Sequence, residues 1–151
     1  MTLVVHTARL FSPAARASAD LLDVTRKSGC ELGKVFAPSW AIMRPMLDAR
    51  AGAREHRKAA KRKGATPDFV AARLAAAERY DQEVDSAWPA YVEAYTEEMR
   101  QSYRRQREAW ERLLAAPTRT LACYCTDAAR CHRTLLASML VKLGARSMGE
   151  V

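Results

Sequence analysis

Residues Leu121-Ala-Cys-Tyr-Cys-Thr-Asp-Ala-Ala-Arg-Cys-His-Arg-Thr-Leu-Leu-Ala-Ser-Met-Leu140 change within one short stretch from a strand pattern to a helix pattern. The segment Arg119–Cys125 is mostly apolar and follows Pro117, which predicts a short buried strand. From Arg133 to Leu143 the apolar residues recur at helical spacing. A strand that leads through a loop into a helix is typical of open α/β sheets, which bind ligands at the carboxyl ends of their strands.

Two more strands are predicted upstream of this stretch. Leu3–Ala8 is rich in β-branched residues, and Leu21–Thr25 is a second short apolar run. Because three strands are few for a sheet, we expect a fourth within Lys34–Ala37 or near the C-terminus. The predicted fold class is therefore α/β, with a small, mostly parallel, Rossmann-like sheet and flanking helices.

The middle of the chain is predicted to be helical. Thr66-Pro67-Asp68 combines a capping residue, a proline and an acid, which predicts a helix from Pro67 to about Asp85. Pro89 is expected to end or restart that helix, and a second long helix should reach about Ala115. Aromatic residues at four-residue spacing from Tyr91 onward are expected to form its core face. We predict a single domain, 1–151, with a long two-helix insertion at about 50–115.

The composition is that of a globular protein. The chain has 151 residues, of which 49% are hydrophobic, and it contains no apolar run of the length that crosses a membrane. The N-terminal residues lack the basic and apolar regions of a secretory signal. Four cysteines without a disulfide framework are typical of reduced thiols. We predict a cytoplasmic protein with no membrane partner.

A single segment accounts for most of the net charge of +8. Between Ala49 and Lys63, seven basic residues accompany Glu55 alone, a local charge of +6. This run is either a patch for phosphate-bearing partners such as nucleic acids or a solvated, poorly ordered connector. We favour the connector, because the segment lacks the aromatic residues that stack on bases.

The cysteines suggest two kinds of chemistry, and the spacing argues against both. Cys123, Cys125, Cys131 and His132 are the residue types that bind zinc, but no Cys-x-x-Cys pair is present, and adjacent Cys131 and His132 are not expected to face one ion. Cys125 or Cys131, near a helix start, could instead be a nucleophile, yet no arginine follows either residue at the spacing of cysteine phosphatases. We therefore predict no metal and no cofactor.

The arginines suggest an anion site. Arg9, Arg26 and Arg133 each follow a predicted strand, so in a parallel sheet they could converge at one edge. The alternative is that each arginine forms a separate surface ion pair. The remaining predicted binding residues lie near these arginines or on the long helix, and they are Lys27, Ser28, Trp40, Arg100, Tyr103, Tyr124, Cys131 and His132.

These residues resemble the domain-of-unknown-function 488 family. The resemblance rests on Asp23-Val-Thr-Arg26 and on the Cys131-His-Arg133 signature after the strand at Leu121. The layout is most similar to phage and prophage members of the family. The resemblance covers most of the chain except the basic segment and the first long helix. The resemblance implies a small α/β domain and a nucleotide-like ligand, by analogy of fold.

Three functions follow as hypotheses. The first is binding of a phosphorylated nucleotide or nucleoside derivative. In this hypothesis the chain is a phage protein that sequesters a host nucleotide immune signal in the cytoplasm of a bacterial host cell. The second is an enzyme that cleaves a glycosidic or phosphoester bond of such a ligand, with His132, Asp23 and Cys131 as candidate catalytic residues. The third, weaker, is a nucleic-acid-binding accessory protein that uses the basic run. A homo-oligomer is also considered.

Overall fold

A computed structural model describes all residues of the chain, 1–151, and it contains a four-stranded sheet with six helices. The strands are β1 (Val4–Arg9), β2 (Leu21–Asp23), β3 (Thr118–Cys123) and β4 (Arg146–Glu150). Their order is β2-β3-β1-β4, and all three pairings are parallel. The predicted α/β class with a parallel sheet is confirmed.

The helices are α1 (Pro13–Ala17), α2 (Glu31–Val35), α3 (Trp40–Ala60), α4 (Pro67–Arg105), α5 (Arg107–Leu114) and α6 (His132–Lys142). None of them is both long enough and apolar enough to cross a membrane. Helix α6 lies between β3 and β4, as the change of pattern at Leu121–Leu140 predicts. The fourth strand is found at the C-terminus, and Lys34–Ala37 instead ends helix α2.

The core forms around the two central strands. Alternating residues of β1, such as Val5, are buried, and Leu121 and Ala122 of β3 are inaccessible. The predicted aromatic face is confirmed, because Tyr91, Tyr95, Met99, Trp110 and Leu113 are all buried. Tyr95 also donates a hydrogen bond from its hydroxyl to the carbonyl oxygen of Phe36, 2.8 Å away, which joins α4 to the segment after α2.

Neither interior proline ends a helix, so the predicted break at Pro89 is wrong. Helix α4 continues through Pro89, and α3 continues through Pro45. An interior proline costs about 3 kcal/mol through its missing N–H and its steric clash. Buried residues on both sides of Pro89, including Val84 and Tyr91, stabilise the uninterrupted helix.

The basic run is not a disordered connector, and that interpretation is wrong. Its residues up to Ala60 belong to helix α3, and the chain then turns at 61–66 into α4. Gly64 has φ +80° in this turn, a conformation that glycine adopts readily.

By contacts the chain divides into two compact units, one of residues 1–38 and 95–151 and one of residues 39–94. The second unit is a helical hairpin of α3 and the first part of α4, whereas the predicted insertion had bounds of about 50–115. Within the hairpin, Arg57 forms an ion pair with Asp81, and His56 stacks on Tyr80 with ring centroids 5.5 Å apart.

Candidate functional site

The carboxyl ends of the parallel strands bring several of the predicted site residues to one edge of the sheet. Arg9 ends β1 and lies opposite Cys123, which ends β3. The backbone N–H of Leu10 donates to the carbonyl oxygen of Cys123 at 2.8 Å, so the two chain segments stay paired beyond the strands. The loop after β3 contains Tyr124 and Cys125 and reaches α6 through a 3₁₀ turn at Ala128–Arg130.

Three sulfur atoms meet at this edge. The Sγ atoms of Cys123, Cys125 and Cys131 all lie within 4.8 Å of one another, and those of Cys123 and Cys125 are 3.7 Å apart. Cys123 and Cys131 are buried, and Cys125 is partly exposed. These are the residues of the site that could hold a metal ion.

His132 faces this sulfur cluster. Its Nδ1 lies 3.9 Å from the sulfurs of both Cys123 and Cys131. The prediction that adjacent Cys131 and His132 cannot face one point is therefore wrong. The reason is that Cys131 is the N-cap of α6, with extended backbone, while His132 is the first helical residue, so their side chains turn toward the same space.

The other ring nitrogen of His132 sets its tautomer. Nε2 lies 2.7 Å from the carbonyl oxygen of Val24. Since a carbonyl oxygen can only accept, Nε2 carries the proton, and a neutral ring then presents its Nδ1 lone pair to the sulfurs. His132 is almost fully buried, with Tyr95 packed edge-on against its ring.

Two thiols of the cluster, Cys123 and Cys131, have raised pKa values. The hydrogen bond to the sulfur of Cys125, together with burial, raises the pKa of Cys123 to about 11. The pKa of Cys131 is also raised, because the sulfurs of Cys123 and Cys125 lie beside it and because it is buried. Reactive cysteines have the opposite features, a lowered pKa and solvent access, so the geometry does not favour Cys131 as a nucleophile.

Arg133 is occupied by protein groups rather than open to a ligand. Its side chain is fully buried, its Nε and Nη2 donate to the two carboxylate oxygens of Glu150 at 3.1 and 2.8 Å, and its Nη1 donates to the carbonyl oxygen of Cys125 at 2.9 Å. Nη1 also lies 3.3 Å from the sulfur of Cys131. The Glu150 carboxylate thus takes the position that an anionic ligand was expected to hold.

Arg26 lies in a different environment from Arg133. Its Nε and Nη2 donate to the carbonyl oxygens of Pro38 and Ala37, both at 2.9 Å. Arg26 lines a cavity of about 340 Å³ together with Lys34 and Arg105. Neither Arg9 nor Arg133 lines that cavity, so the predicted convergence of three arginines at one pocket is not observed. We call this space the Arg26 cavity.

Other predicted residues near Arg26 have mainly structural partners. Ser28 is buried, and its hydroxyl oxygen accepts from the N–H of Cys30 at 3.0 Å. Asp23 accepts from the backbone N–H and the hydroxyl of Thr25, which closes the turn after β2. Lys27 is exposed. Trp40 is also exposed, and it belongs to the helical hairpin unit.

Two predicted residues of α4 also lie outside the Arg26 cavity. Arg100 is exposed and lies 3.7 Å from a carboxylate oxygen of Glu97 on its own helix. Tyr103 packs edge-on against Trp110, with the guanidinium of Arg107 4.3 Å above its ring. Tyr103 therefore has a packing role in this structure.

Tyr124 forms an exposed aromatic pair that the sequence did not indicate. Its ring lies 5.8 Å from that of Phe11, and the two side chains are 48% and 62% exposed. Phe11 has φ +66°, a left-handed conformation that is unusual for a residue other than glycine. The pair therefore places two exposed rings shortly after the ends of β1 and β3.

The sequence pattern did not indicate three residues of the site: Lys34, Arg105 and Glu150. Lys34 and Arg105 are distant in the chain from the Cys-His-Arg stretch, and their convergence depends on how α4 ends beside the segment after β2. Glu150 follows an Arg-Ser-Met-Gly run without the alternation of a strand. One available signal was that a fully buried arginine requires a carboxylate partner.

The family comparison agrees with the motif. Residues 70–144 match the model described as "Active DUF488-N3 subclade". The chain is a DUF488-family member. The DUF488 match begins within the predicted insertion, and it contains the three clustered cysteines, His132 and Arg133. Comparisons with curated proteins and with solved structures gave no match.

Proposed function

We propose that this protein binds a phosphorylated small molecule derived from a nucleotide or nucleoside, with the phosphate in the Arg26 cavity. The observation that carries the proposal is the presence of three cationic side chains, Arg26, Lys34 and Arg105, around one space of about 340 Å³. This volume lies in the range of small-molecule sites. A single acidic residue, Glu98, accompanies them, so the lining has an excess of positive charge.

The orientation of Arg26 favours this role. Two of its nitrogens are anchored on backbone carbonyl groups, which fixes the guanidinium while Nη1 remains a donor. Lys34 is partly exposed and pairs with Glu31 at 2.8 Å, an exposed contact that a phosphate could replace. Polar side chains of Gln101, Ser102 and Gln106 also line the cavity. The Ser102 hydroxyl is engaged by Trp110 and Gln106, so the two glutamine amides would supply hydrogen bonds to a sugar or a base.

A second cavity fits a phosphate less well. It has a volume of about 400 Å³ and lies against α6 and β4, where Ala137, Val141 and Gly149 contribute to its lining. Lys142 is its only basic residue, and the Glu150 carboxylate also faces it. A phosphorylated ligand is therefore expected in the Arg26 cavity.

Within this proposal the ligand is held rather than converted. The candidate catalytic residues do not line the Arg26 cavity: His132 is buried against Val24, and Asp23 is engaged by Thr25. Glu98 alone does not provide the paired acid and base that bond cleavage normally uses. With the phage-like layout of the sequence, this supports sequestration of a host nucleotide immune signal in the cytoplasm of a bacterial host cell.

One observation favours an enzyme as the second candidate. The matching family model is described as an active subclade. In this alternative the protein is a hydrolase or transferase that cleaves a glycosidic or phosphoester bond of the same class of ligand.

The experiment that tests both candidates uses the full chain with AMP, GMP, ADP and a cyclic dinucleotide. Binding is measured by calorimetry, and the ligand is then released by heat and analysed by mass spectrometry. We expect binding of at least one of these compounds and recovery of the intact ligand. Recovery of a cleaved product would establish the enzyme instead, and absence of binding by all four would contradict the proposal.

A pair of variants locates the site. Replacing Lys34→Ala and Arg105→Ala together should weaken binding at least tenfold, because both cations face the phosphate. Arg104→Ala is the matched control, because Arg104 is the exposed neighbour of Arg105 on α4 and does not line the cavity. An equal loss of ligand affinity in the double variant and in Arg104→Ala would show that the cavity is not the binding site.

A further inference from the structure

The cluster of three sulfurs and one imidazole at the end of β3 has no role in the nucleotide proposal. Cys123, Cys125 and Cys131 contribute one sulfur each, and the three sulfurs lie within 4.8 Å of one another. His132 adds a ring nitrogen that is 3.9 Å from two of them. We propose that these four residues bind one zinc(II) ion through three Sγ atoms and Nδ1.

The spacing of the ligand atoms fits tetrahedral zinc. Zinc–sulfur bonds of about 2.3 Å place the sulfurs of a tetrahedral site about 3.8 Å apart, and a sulfur and a nitrogen about 3.6 Å apart. The sulfurs of Cys123 and Cys125 are 3.7 Å apart, and Nδ1 of His132 is 3.9 Å from its two neighbours. The three sulfurs lie within 4.8 Å of one another, and movement of Nδ1 toward the sulfur of Cys125 would complete the coordination.

The histidine is oriented as a zinc ligand. Its Nε2 proton is held by the carbonyl oxygen of Val24 at 2.7 Å, which leaves Nδ1 as the electron-pair donor. Metal-binding histidines commonly donate their second N–H to a carbonyl or carboxylate group in this way, which fixes the ring and strengthens the ligand. This outer contact comes from the segment after β2, so the site joins three parts of the sheet edge.

A buried guanidinium lies beside the proposed zinc site. Three thiolates and one zinc ion carry a net charge of −1, and the buried guanidinium of Arg133 is the nearest compensating cation. Its Nη1 donates toward the sulfur of Cys131 at 3.3 Å. Arg133 also forms the ion pair with Glu150, so its guanidinium lies between that carboxylate and the sulfur cluster.

Because the protein supplies all four ligands, the site is of the closed, structural kind. It would add to the contacts that hold the loop between β3 and α6, which include the Asp127 cap, the bond from Thr134 to the carbonyl oxygen of Ala128 and the bond from Arg133 to that of Cys125. The proposal is independent of the nucleotide site, because none of the four residues lines the Arg26 cavity.

The test is a metal analysis of the full chain, purified under reducing conditions and then incubated with zinc and passed through a desalting column. We expect one zinc per chain by plasma mass spectrometry. Cys125→Ser should lower zinc affinity at least tenfold, and Cys30→Ser is the matched control, because Cys30 is exposed and outside the cluster. Loss of zinc in both variants, or in neither, would overturn the proposal.

A second measurement does not depend on the folding of a variant. Cobalt(II) substituted into the wild-type protein should give the intense visible bands of a tetrahedral site and the charge-transfer absorption of three thiolates. A weak octahedral spectrum would overturn the proposal. So would a Cys123–Cys125 disulfide in the freshly purified protein, detected by mass spectrometry after alkylation.

Discussion

Arg133 and Glu150 form a two-pronged ion pair, with Nε 3.1 Å from Oε2 and Nη2 2.8 Å from Oε1. The pair joins the second residue of α6 to the last residue of β4. The hydroxyl of Thr7 on β1 also donates to Oε2 of Glu150, at 2.6 Å. One carboxylate therefore links two parallel strands to the helix that carries the Cys-His-Arg motif.

Removal of this carboxylate charge is predicted to destabilise the protein. Glu150→Gln leaves the buried guanidinium of Arg133 without a counter-charge, which should lower the free energy of unfolding by about 2 kcal/mol. This value lies below the usual cost of a broken buried pair, because the Glu150 side chain is 36% exposed. Urea unfolding followed by circular dichroism measures the change.

Glu111→Gln is the control for this measurement. Glu111 also pairs with an arginine, Arg107 at 3.2 Å, but both side chains are more than half exposed. Its loss should change the free energy of unfolding by less than about 0.5 kcal/mol. Similar values for the two variants would contradict a special role for the Arg133–Glu150 pair.

The ion pair also predicts a pH dependence of stability. Partial burial acts to raise the pKa of Glu150, but the hydrogen bonds from Arg133 and Thr7 outweigh it and lower the pKa below its ordinary value. A lowered folded-state pKa contributes stability above the unfolded-state pKa of about 4.3, and this stability is lost as the pH falls through the folded-state pKa. The difference in unfolding free energy between wild type and Glu150→Gln should therefore shrink from pH 7 to pH 3. A constant difference would contradict the assignment.

Two glycines, one just before α2 and one within it, give a matched pair of substitutions. A Cβ on Gly33 would overlap the backbone carbonyl oxygen of Asp23, whereas a Cβ on Gly29 would meet no atom within 4 Å. Gly33→Ala should lower the unfolding free energy by about 2–3 kcal/mol, since α2 must move away from β2. Gly29→Ala should change it by less than about 1 kcal/mol. Thermal unfolding compares the two proteins, and equal melting temperatures would show that α2 does not pack closely on β2.

The basic run on α3 is predicted to have no part in small-molecule binding. Lys58, Lys61 and Lys63 are exposed, and they belong to the helical hairpin rather than to the unit that contains the Arg26 cavity. Replacing all three by glutamine should leave nucleotide affinity unchanged. If the wild-type protein bound duplex DNA in a steeply salt-dependent way and the triple variant did not, the nucleic-acid-binding alternative would be supported instead.

The local sequence pattern was sufficient to predict three of the four strands of the sheet. Apolar, β-branched runs indicated β1, β2 and β3, and helical spacing indicated α6, because burial on both faces of a strand and on one face of a helix leaves a direct trace in the residues. β4 left no such trace. All five of its residues are exposed, and it exists as a strand because β1 offers it backbone hydrogen bonds.

The two prolines show the limit of local rules. Pro89 suggested a helix boundary, yet it lies inside α4, and Pro45 likewise lies inside α3. The penalty of a proline is local and readable, whereas the packing that outweighs it comes from residues distant in the sequence, which no local pattern reports.

By itself the sequence determined the α/β class, the strand-to-helix passage at Leu121–Leu140 and the membership suggested by Cys131-His132-Arg133, since these depend on periodicity and residue type. Only the tertiary structure decided the partners of those residues. In the folded chain Arg133 pairs with Glu150, and Arg26 lines a cavity with Lys34 and Arg105. Nδ1 of His132 faces the cysteine sulfurs. The physical reason is that charge pairing and ligand geometry depend on distances between side chains, and chain folding sets those distances between residues far apart in the sequence.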